Sequence, residues 1–169
     1  MNPADNPSTF VNTLPEKNIF SDSVFHMFQG KKVLVVEDNP ADAELILLAF
    51  KIHSPDTELK VFQTGPDLLY FLKSAPSEYY ALILMDLNMP VMNGRELLSR
   101  LNKHDEWKEI PKVVFSSSKQ REDVRDCYEL GAKAYVAKPF DLQEFEKAIA
   151  SIASFWFRVQ PNYFYNPAL

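Results

Sequence analysis

Cysteine is almost absent from this chain, which has 169 residues and the single cysteine Cys127. No internal disulfide is possible, and no cysteine cluster exists that would hold zinc, so a reducing compartment suits the chain. Long apolar runs are also missing: no stretch is long enough to span a bilayer, and the first residues lack the basic and then apolar pattern of a secretory signal. We therefore expect a cytoplasmic protein with no membrane partner.

Positive charge and glycine are also scarce. Lysine and arginine total 18 against 23 aspartates and glutamates, a formal net charge of -5, and no basic face for DNA or RNA stands out. A flavin or nucleotide module needs a glycine- or hydroxyl-rich phosphate loop after its first strand. Here the acidic residues Glu37 and Asp38 stand at that position, and their charge is wrong for phosphate. We expect neither a nucleic-acid partner nor a nucleotide cofactor.

Apolar residues are plentiful enough for one domain with a sizeable core, at 46% of the chain. Residues 1–30 combine proline, asparagine and serine with a more apolar end. We interpret them as a partly disordered extension whose apolar end docks on the domain or on a partner. The domain is predicted over residues 31–157, and an aromatic tail over residues 158–169 follows it.

Five short apolar segments predict strands, at 31–36, 59–63, 81–85, 111–115 and 134–137. The third segment is too short for a helix and too uniformly apolar for a half-exposed strand, which indicates burial on both faces. Each segment precedes a stretch with helical spacing of apolar residues. The first of these helices is predicted to begin at Pro40 after a cap at Asp38 or Asn39. Its apolar residues at helical spacing are Ala41, Leu45, Leu48, Ala49 and Ile52.

Strands that alternate with helices five times predict an α/β fold with a parallel sheet, because the crossovers between parallel strands are right-handed. The expected architecture is a flavodoxin-like doubly wound (βα)5 sheet of five strands in the order 2-1-3-4-5. In that order the first and third strands are neighbours. Glu37 and Asp38, after the first strand, are therefore expected beside Asp86, after the third.

Three clustered carboxylates repel one another unless a cation neutralises them. Carboxylate and amide oxygens with no histidine or cysteine nearby select a hard ion, Mg²⁺ first and Mn²⁺ second. Magnesium commonly bridges a carboxylate to a phosphate, which indicates phosphoryl chemistry. Two further strand ends carry Ser116 and Lys138, a hydroxyl donor and a cation suited to phosphate. Alone, each of these residues has a plainer reading, as a turn former, a surface lysine or a helix cap.

The chain resembles the receiver domain of two-component response regulators over about 31–157. The resemblance rests on VVEDNP at 35–40, LMDLNMPVMNG at 84–94, the hydroxyl of Ser116 and KPF at 138–140. It implies that Asp86 accepts a phosphoryl group from the phosphohistidine of a sensor histidine kinase. It also implies that Glu37, Asp38, Asp86 and the main-chain carbonyl of Asn88 hold Mg²⁺.

By the same resemblance, Ser116 hydrogen-bonds the phosphoryl group and Lys138 pairs with it. Ser116 and Tyr135 occupy the family's switch positions, which report phosphorylation to the face made by the fourth helix, fifth strand and fifth helix. Serine replaces the commoner threonine at 116, which keeps the hydroxyl. Tyr135 could equally be a half-buried strand aromatic with no switch role.

The aromatic end of the chain resembles that of single-domain regulators associated with phytochromes. This likeness rests on Phe155, Trp156 and Phe157, followed by valine and proline. It implies a bacteriophytochrome as the kinase and a homodimer through the carboxyl-terminal face; a tail folded over its own helix is the alternative. Too few residues follow the last helix for an output domain. We therefore expect the signal to leave through another protein, or through the phosphoryl group being passed onward.

Two other functions stay open at this point. The first is a pseudo-receiver, an interaction module that is never phosphorylated. The second is a phosphatase of the haloacid dehalogenase type, which also uses an aspartyl phosphate, Mg²⁺, a hydroxyl and a lysine. Such phosphatases carry a second aspartate two residues after the nucleophile, whereas position 88 here is asparagine. The interpretation we favour is a phosphoacceptor for signalling and not an enzyme that turns over a substrate.

Overall fold

The computed structural model describes residues 31–74 and 80–159. The predicted extension over 1–30 and the predicted tail from residue 160 onward lie outside the described residues, so both stay predictions. Of the tail, only the backbone of 158 and 159 is described.

Five parallel strands form one sheet in the order β2-β1-β3-β4-β5, as predicted. Each strand is short and is followed by a helix, so the chain crosses over the sheet between consecutive strands. The carboxyl ends of all five strands consequently lie along one edge. The strands are β1 (Lys31–Val36), β2 (Thr57–Phe62), β3 (Leu82–Met85), β4 (Lys112–Ser116) and β5 (Ala134–Ala137).

Helices cover both faces of the sheet. They are α1 (Pro40–His53), α2 (Gly65–Ser74), α3 (Gly94–Lys103), α4 (Arg121–Glu129) and α5 (Leu142–Ser154), and a π-helical turn (Phe155–Val159) extends α5. Side chains alternate across the sheet: Leu34 and Val36 pack with α2, α3 and α4, while Val33 and Val35 pack with α1 and α5. Within the described ranges, no helix has both the length and the apolar character needed to cross a membrane.

The start of α1 agrees with the sequence, but its buried face, formed by Ile46, Ala49 and Phe50, agrees only at Ala49. Asn39 is the cap, and its side chain accepts a hydrogen bond from the Ala41 N–H at 3.0 Å. Leu48 and Ile52 are 52% and 54% exposed. Residues 46–50 are all apolar, so their spacing fits more than one stripe. Phe50, which lies 6.4 Å from the Phe157 ring, decides which stripe is buried.

A buried lysine ties together the ends of three elements at the edge of the sheet opposite the strand carboxyl ends. The Nζ of Lys112, at the start of β4, donates to Asn102 Oδ1 at 2.8 Å and to the carbonyls of Trp107 and Lys108 at 2.8 and 2.7 Å. Asn102 in turn donates to the carbonyl of Leu130. Each donor of the ammonium therefore has a neutral acceptor, which makes burial tolerable.

Burial lowers the pKa of Lys112 to about 8, and the positive charge of Lys133 adds to the effect. In the unfolded chain the pKa returns to its ordinary value of 10.5. Between these values the unfolded state binds more protons than the folded state, so the free energy of unfolding rises with pH. The slope is at most about 1.4 kcal/mol per pH unit.

We therefore predict that Lys112→Met lowers the free energy of unfolding by about 2–4 kcal/mol at pH 7, because three acceptors lose their donor. The variant should also lose the rise in stability between pH 8 and 10.5. Denaturant unfolding across this pH range measures both effects. Lys103→Met, at an exposed lysine, is the control and should keep the wild-type slope. An unchanged slope in Lys112→Met would contradict the prediction.

Candidate functional site

Three carboxylates meet at the carboxyl ends of the two central strands. The backbone N–H of Asp86 donates to the carbonyl of Val36 at 3.0 Å, which continues the pairing of β3 with β1 by one residue. Carboxylate oxygens of Glu37, Asp38 and Asp86 lie within 4.8 Å of one another. Glu37 and Asp86 are buried and Asp38 is half-buried. The structure thus brings together the three acids that the sequence placed at one site.

Lys138, which follows β5, reaches into this cluster. Its Nζ donates to Glu37 Oε2 at 2.7 Å, to Asp42 Oδ2 at 2.8 Å and to Asp86 Oδ2 at 3.0 Å. The lysine is only 6% exposed. One ammonium therefore contacts three carboxylates at once, and no donor of the lysine is left over.

Burial and charge act in opposite directions on these groups. Burial raises the pKa of Glu37 to about 7, and the negative charge of Asp86 adds to this, although Lys138 opposes it. Burial also acts to lower the pKa of Lys138. Hydrogen bonds to Asp42 and Glu37 and the charge of Asp86 outweigh that effect, so the pKa of Lys138 lies above its ordinary value. The lysine is charged at neutral pH, and the site still carries an excess of negative charge.

The carboxylate of Asp86 is oriented by its own loop. Its Oδ1 accepts hydrogen bonds from the N–H groups of Leu87, at 2.5 Å, and Asn88, at 3.3 Å. The other oxygen, Oδ2, therefore faces Lys138. The loop folds closely onto the start of α3, where the Gly94 N–H donates to the Leu87 carbonyl at 2.8 Å. A Cβ on Gly94 would lie 2.5 Å from the Asp86 carbonyl oxygen. Glycine at 94 is therefore required for the approach of these two segments.

We predict that Gly94→Ala destabilises the fold by about 2–4 kcal/mol, because the clash is with backbone atoms that cannot rotate away. Gly65→Ala is the matched control: its Cβ would meet the flexible side chain of Met92, at 2.9 Å, and we expect it to cost about 1 kcal/mol or less. Chemical denaturation of both variants measures the difference. Equal losses of stability would contradict this account.

Ser116 is the last residue of β4, and its backbone pairs with that of Lys138 at the end of the neighbouring strand. It is fully buried, and its carbonyl accepts a hydrogen bond from the Lys138 N–H at 2.8 Å. Its hydroxyl accepts from the N–H of Ser118 at 3.4 Å. The hydroxyl of Ser116 thus contacts the loop that follows β4.

Tyr135 in β5 contacts the same loop from the other side. Its hydroxyl donates to the Ser118 carbonyl at 2.9 Å, and burial raises the pKa of the phenol. The Ser118 hydroxyl donates to Asp123 in α4, and Asp123 also pairs with Arg95 in α3. The loop after β4 is therefore held by hydrogen bonds from α4 and β5.

Sequence reasoning missed Asp42 and Ser118 as parts of this network. Asp42 lies in the first turn of α1, where an acidic side chain is expected from the helix dipole alone and signals nothing further. Ser118 ends a run of three serines that begins at the end of β4, and its contacts with Asp123 and Tyr135 could not be read from that run. Asn88 is exposed and its N–H contacts Asp86; the predicted role of its carbonyl as a metal ligand stays a prediction.

The donor set fits a hard divalent cation. The clustered ligand atoms are all carboxylate oxygens, and neither histidine nor cysteine takes part. The acids outnumber the single lysine among them, so a cation would relieve repulsion that the protein leaves uncompensated.

The sequence model of the response regulator receiver domain matches residues 33–150. The chain belongs to this family. The match covers four strands in full, all but the first two residues of β1, and most of α5, so the family and the predicted fold agree.

Two relatives place this receiver domain more closely. Response regulator Rcp1 of Synechocystis sp. is 36% identical over 131 residues, which cover 75% of this chain and 88% of Rcp1. The crystal structure of the Mn(2+)-bound form of Rcp1 superposes with a TM-score of 0.70 at 34% identity, over 76% of this chain and 95% of that chain. The structure of the bacteriophytochrome response regulator AtBRR gives a TM-score of 0.60 at 35% identity, over 75% and 94%.

The phosphorylated cyanobacterial phytochrome response regulator RcpA is similar as well. Its crystal structure gives a TM-score of 0.72 at 31% identity, over 76% of this chain and 95% of that chain. The predicted resemblance to phytochrome-associated regulators is thus confirmed: this receiver domain is related to them.

Proposed function

We propose that this receiver domain accepts a phosphoryl group on Asp86 and acts as a signalling switch. The observation that carries the proposal is the buried Asp86 carboxylate, held through one oxygen by backbone N–H groups and facing Lys138 with the other. A carboxylate so oriented is suited to in-line attack on phosphorus. RcpA, at 31% identity, was crystallised in a phosphorylated form, which supports the same chemistry here.

The proposed donor is the phosphohistidine of a sensor histidine kinase. A bond forms between a carboxylate oxygen of Asp86 and phosphorus while the bond from phosphorus to the imidazole nitrogen breaks, and the imidazole keeps the electron pair. The Lys138 ammonium then pairs with the developing negative charge, and the Ser116 hydroxyl donates to a phosphoryl oxygen. The protein positions the reacting groups and neutralises their charge. It catalyses only its own phosphorylation and dephosphorylation and turns over no other substrate.

We propose that Glu37, Asp38 and Asp86, with the main-chain carbonyl of Asn88, hold Mg²⁺, with Mn²⁺ as an alternative. The Mn(2+)-bound form of Rcp1 supports a divalent ion at such a site. When bound, the ion supplies positive charge against the clustered acids and the phosphoryl oxygens.

The switch residues of the proposal are Ser116 and Tyr135. A phosphoryl group adds nearly two negative charges and three hydrogen-bond acceptors next to Ser116. The Ser116 hydroxyl then turns to donate to a phosphoryl oxygen and loses its hydrogen bond from the Ser118 N–H. Tyr135 contacts the same residue through the Ser118 carbonyl, so the rearranged loop changes the contacts of α4 and β5. The signal is therefore proposed to leave through the face made by α4, β5 and α5.

Partners follow from the family and its relatives. We propose a bacteriophytochrome as the kinase, because several similar proteins are phytochrome regulators. A cytoplasmic location belongs to this proposal, since kinase chemistry consumes ATP. We propose a homodimer through the carboxyl-terminal face as part of the output, with no nucleic acid involved.

The first test is intact mass after incubation with acetyl phosphate and Mg²⁺. Wild type should gain one phosphoryl group, and Asp86→Asn should gain none because the amide is not a nucleophile. Lys138→Ala should still be labelled, about tenfold more slowly, since it loses charge neutralisation. Asp56→Asn, at an exposed aspartate, is the control and should label like wild type.

Other outcomes would contradict the proposal in different ways. No adduct on wild type with any donor would contradict the proposal and favour a pseudo-receiver. Rapid hydrolysis of unrelated phosphate esters would favour a phosphatase. Labelling of Asp86→Asn at the wild-type rate would move the acceptor to another residue.

A second prediction concerns the dimer. Phosphorylated wild type should elute earlier than the unphosphorylated protein in size-exclusion chromatography with light scattering. Lys133→Glu places a negative charge at the start of β5 and should reduce the dimer fraction, whereas Lys73→Glu on the distant helix α2 should not. Identical elution of the phosphorylated and unphosphorylated proteins would remove dimerisation from the output.

A further inference from the structure

We propose that Asp42 is a positioning residue that holds the Lys138 ammonium at the phosphoacceptor. The inference rests on the proposed function, because Lys138 matters only where a phosphoryl group arrives. Asp42 Oδ2 lies 2.8 Å from Lys138 Nζ, between the distances of the two buried acids, 2.7 Å for Glu37 and 3.0 Å for Asp86.

Asp42 differs from the other two partners of the lysine. Glu37 and Asp86 belong to the carboxylate cluster that fits a cation, and Asp42 does not. The ammonium has three protons, and each acid accepts one. Once a cation and a phosphoryl group engage Glu37 and Asp86, Asp42 is the acceptor that the lysine keeps.

The first turn of α1 is fixed in relation to the cluster, which makes this contact more than a chance approach of a surface acid. The Asn39 N–H donates to Glu37 Oε1 at 3.3 Å, and the Asn39 side chain caps the helix through the Ala41 N–H. Asp42 follows within the same turn, and its side chain is only 26% exposed. Its carboxylate is therefore held at the rim of the site by the helix that begins there.

The contact has a direct consequence for cation binding. With Asp42 present, one lysine donor points away from the cluster, and the ammonium is shared among three acids. Without Asp42, only Glu37 and Asp86 remain as its partners, so the ammonium competes more strongly with the cation for the carboxylate oxygens of these two residues. The effect of Asp42 on cation affinity must then act through Lys138.

A plainer explanation exists, and it makes a different prediction. An acid in the first turn of a helix stabilises the helix dipole and adds general negative charge near the cation. Both effects are independent of Lys138. The two explanations therefore separate in a double-mutant cycle between Asp42 and Lys138.

The experiment is a calorimetric titration with Mg²⁺ of wild type, Asp42→Asn, Lys138→Met and the double variant. Where Lys138 is present, we expect Asp42→Asn to weaken Mg²⁺ binding about three- to tenfold. In the Lys138→Met background the same substitution should change the dissociation constant less than about twofold. Glu44→Gln removes one exposed charge from the same helix and should match that small change in both backgrounds. An equal loss with and without Lys138, or no loss at all, overturns the inference.

A second arm measures labelling by acetyl phosphate at saturating Mg²⁺. Asp42→Asn should be labelled about three- to tenfold more slowly than wild type, because its lysine is no longer held. If wild type labels and Asp42→Asn labels equally fast, the inference fails and the proposed function stands. If wild type does not label, the proposed function fails, and the Mg²⁺ cycle still decides whether Asp42 positions Lys138.

Discussion

The Lys138 ammonium contacts three carboxylates, those of Glu37, Asp42 and Asp86. A fourth carboxylate, that of Asp38, lies beside Glu37 and Asp86, and the chemistry of the site follows from this excess of negative charge. Burial prevents water from screening the charges, and the pKa of Glu37 rises to about 7 as a result. Lys138 offsets part of the repulsion and stays protonated. The remaining negative charge favours a divalent cation. In the proposed function, a phosphoryl group adds charge of the same sign, and the cation, Lys138 and Ser116 together stabilise it.

Among the described residues, two buried lysines show how the hydrogen-bond acceptors around an ammonium determine the direction of its pKa shift. Lys112 donates to an amide and two carbonyls, which are neutral, and its pKa falls to about 8. Lys138 donates to three carboxylates, and its pKa rises. The first lysine joins loops at the edge of the sheet away from the site, where a charge has only a structural use. The second stands where negative charge is gathered. The fold thus separates a structural ammonium from the one to which we assign a role in the proposed function.

Much of this arrangement could be predicted because it depends on strand ends. Uniformly apolar strands ending in Glu37 and Asp38, Asp86, Ser116 and Lys138 gave both the sheet order and the residues at its edge. The buried face of α1 could not be chosen, since residues 46–50 are all apolar and packing on Phe157 decides. Asp42 was missed because its partner Lys138 is distant in sequence. Lys112 was missed because a lysine at the start of a strand resembles an ordinary surface charge.

The most direct test of the central claim is chemical mapping of the phosphoryl group. Wild type incubated with acetyl phosphate and Mg²⁺ is treated with sodium borohydride, which reduces an acyl phosphate to the alcohol and so converts a phosphorylated aspartate to homoserine. Peptide mass spectrometry then locates the change. The account predicts homoserine at position 86 and unmodified aspartate at 38 and 42. Homoserine at another aspartate, the longer alcohol at a glutamate, or phosphate that survives reduction on a serine or histidine would contradict it.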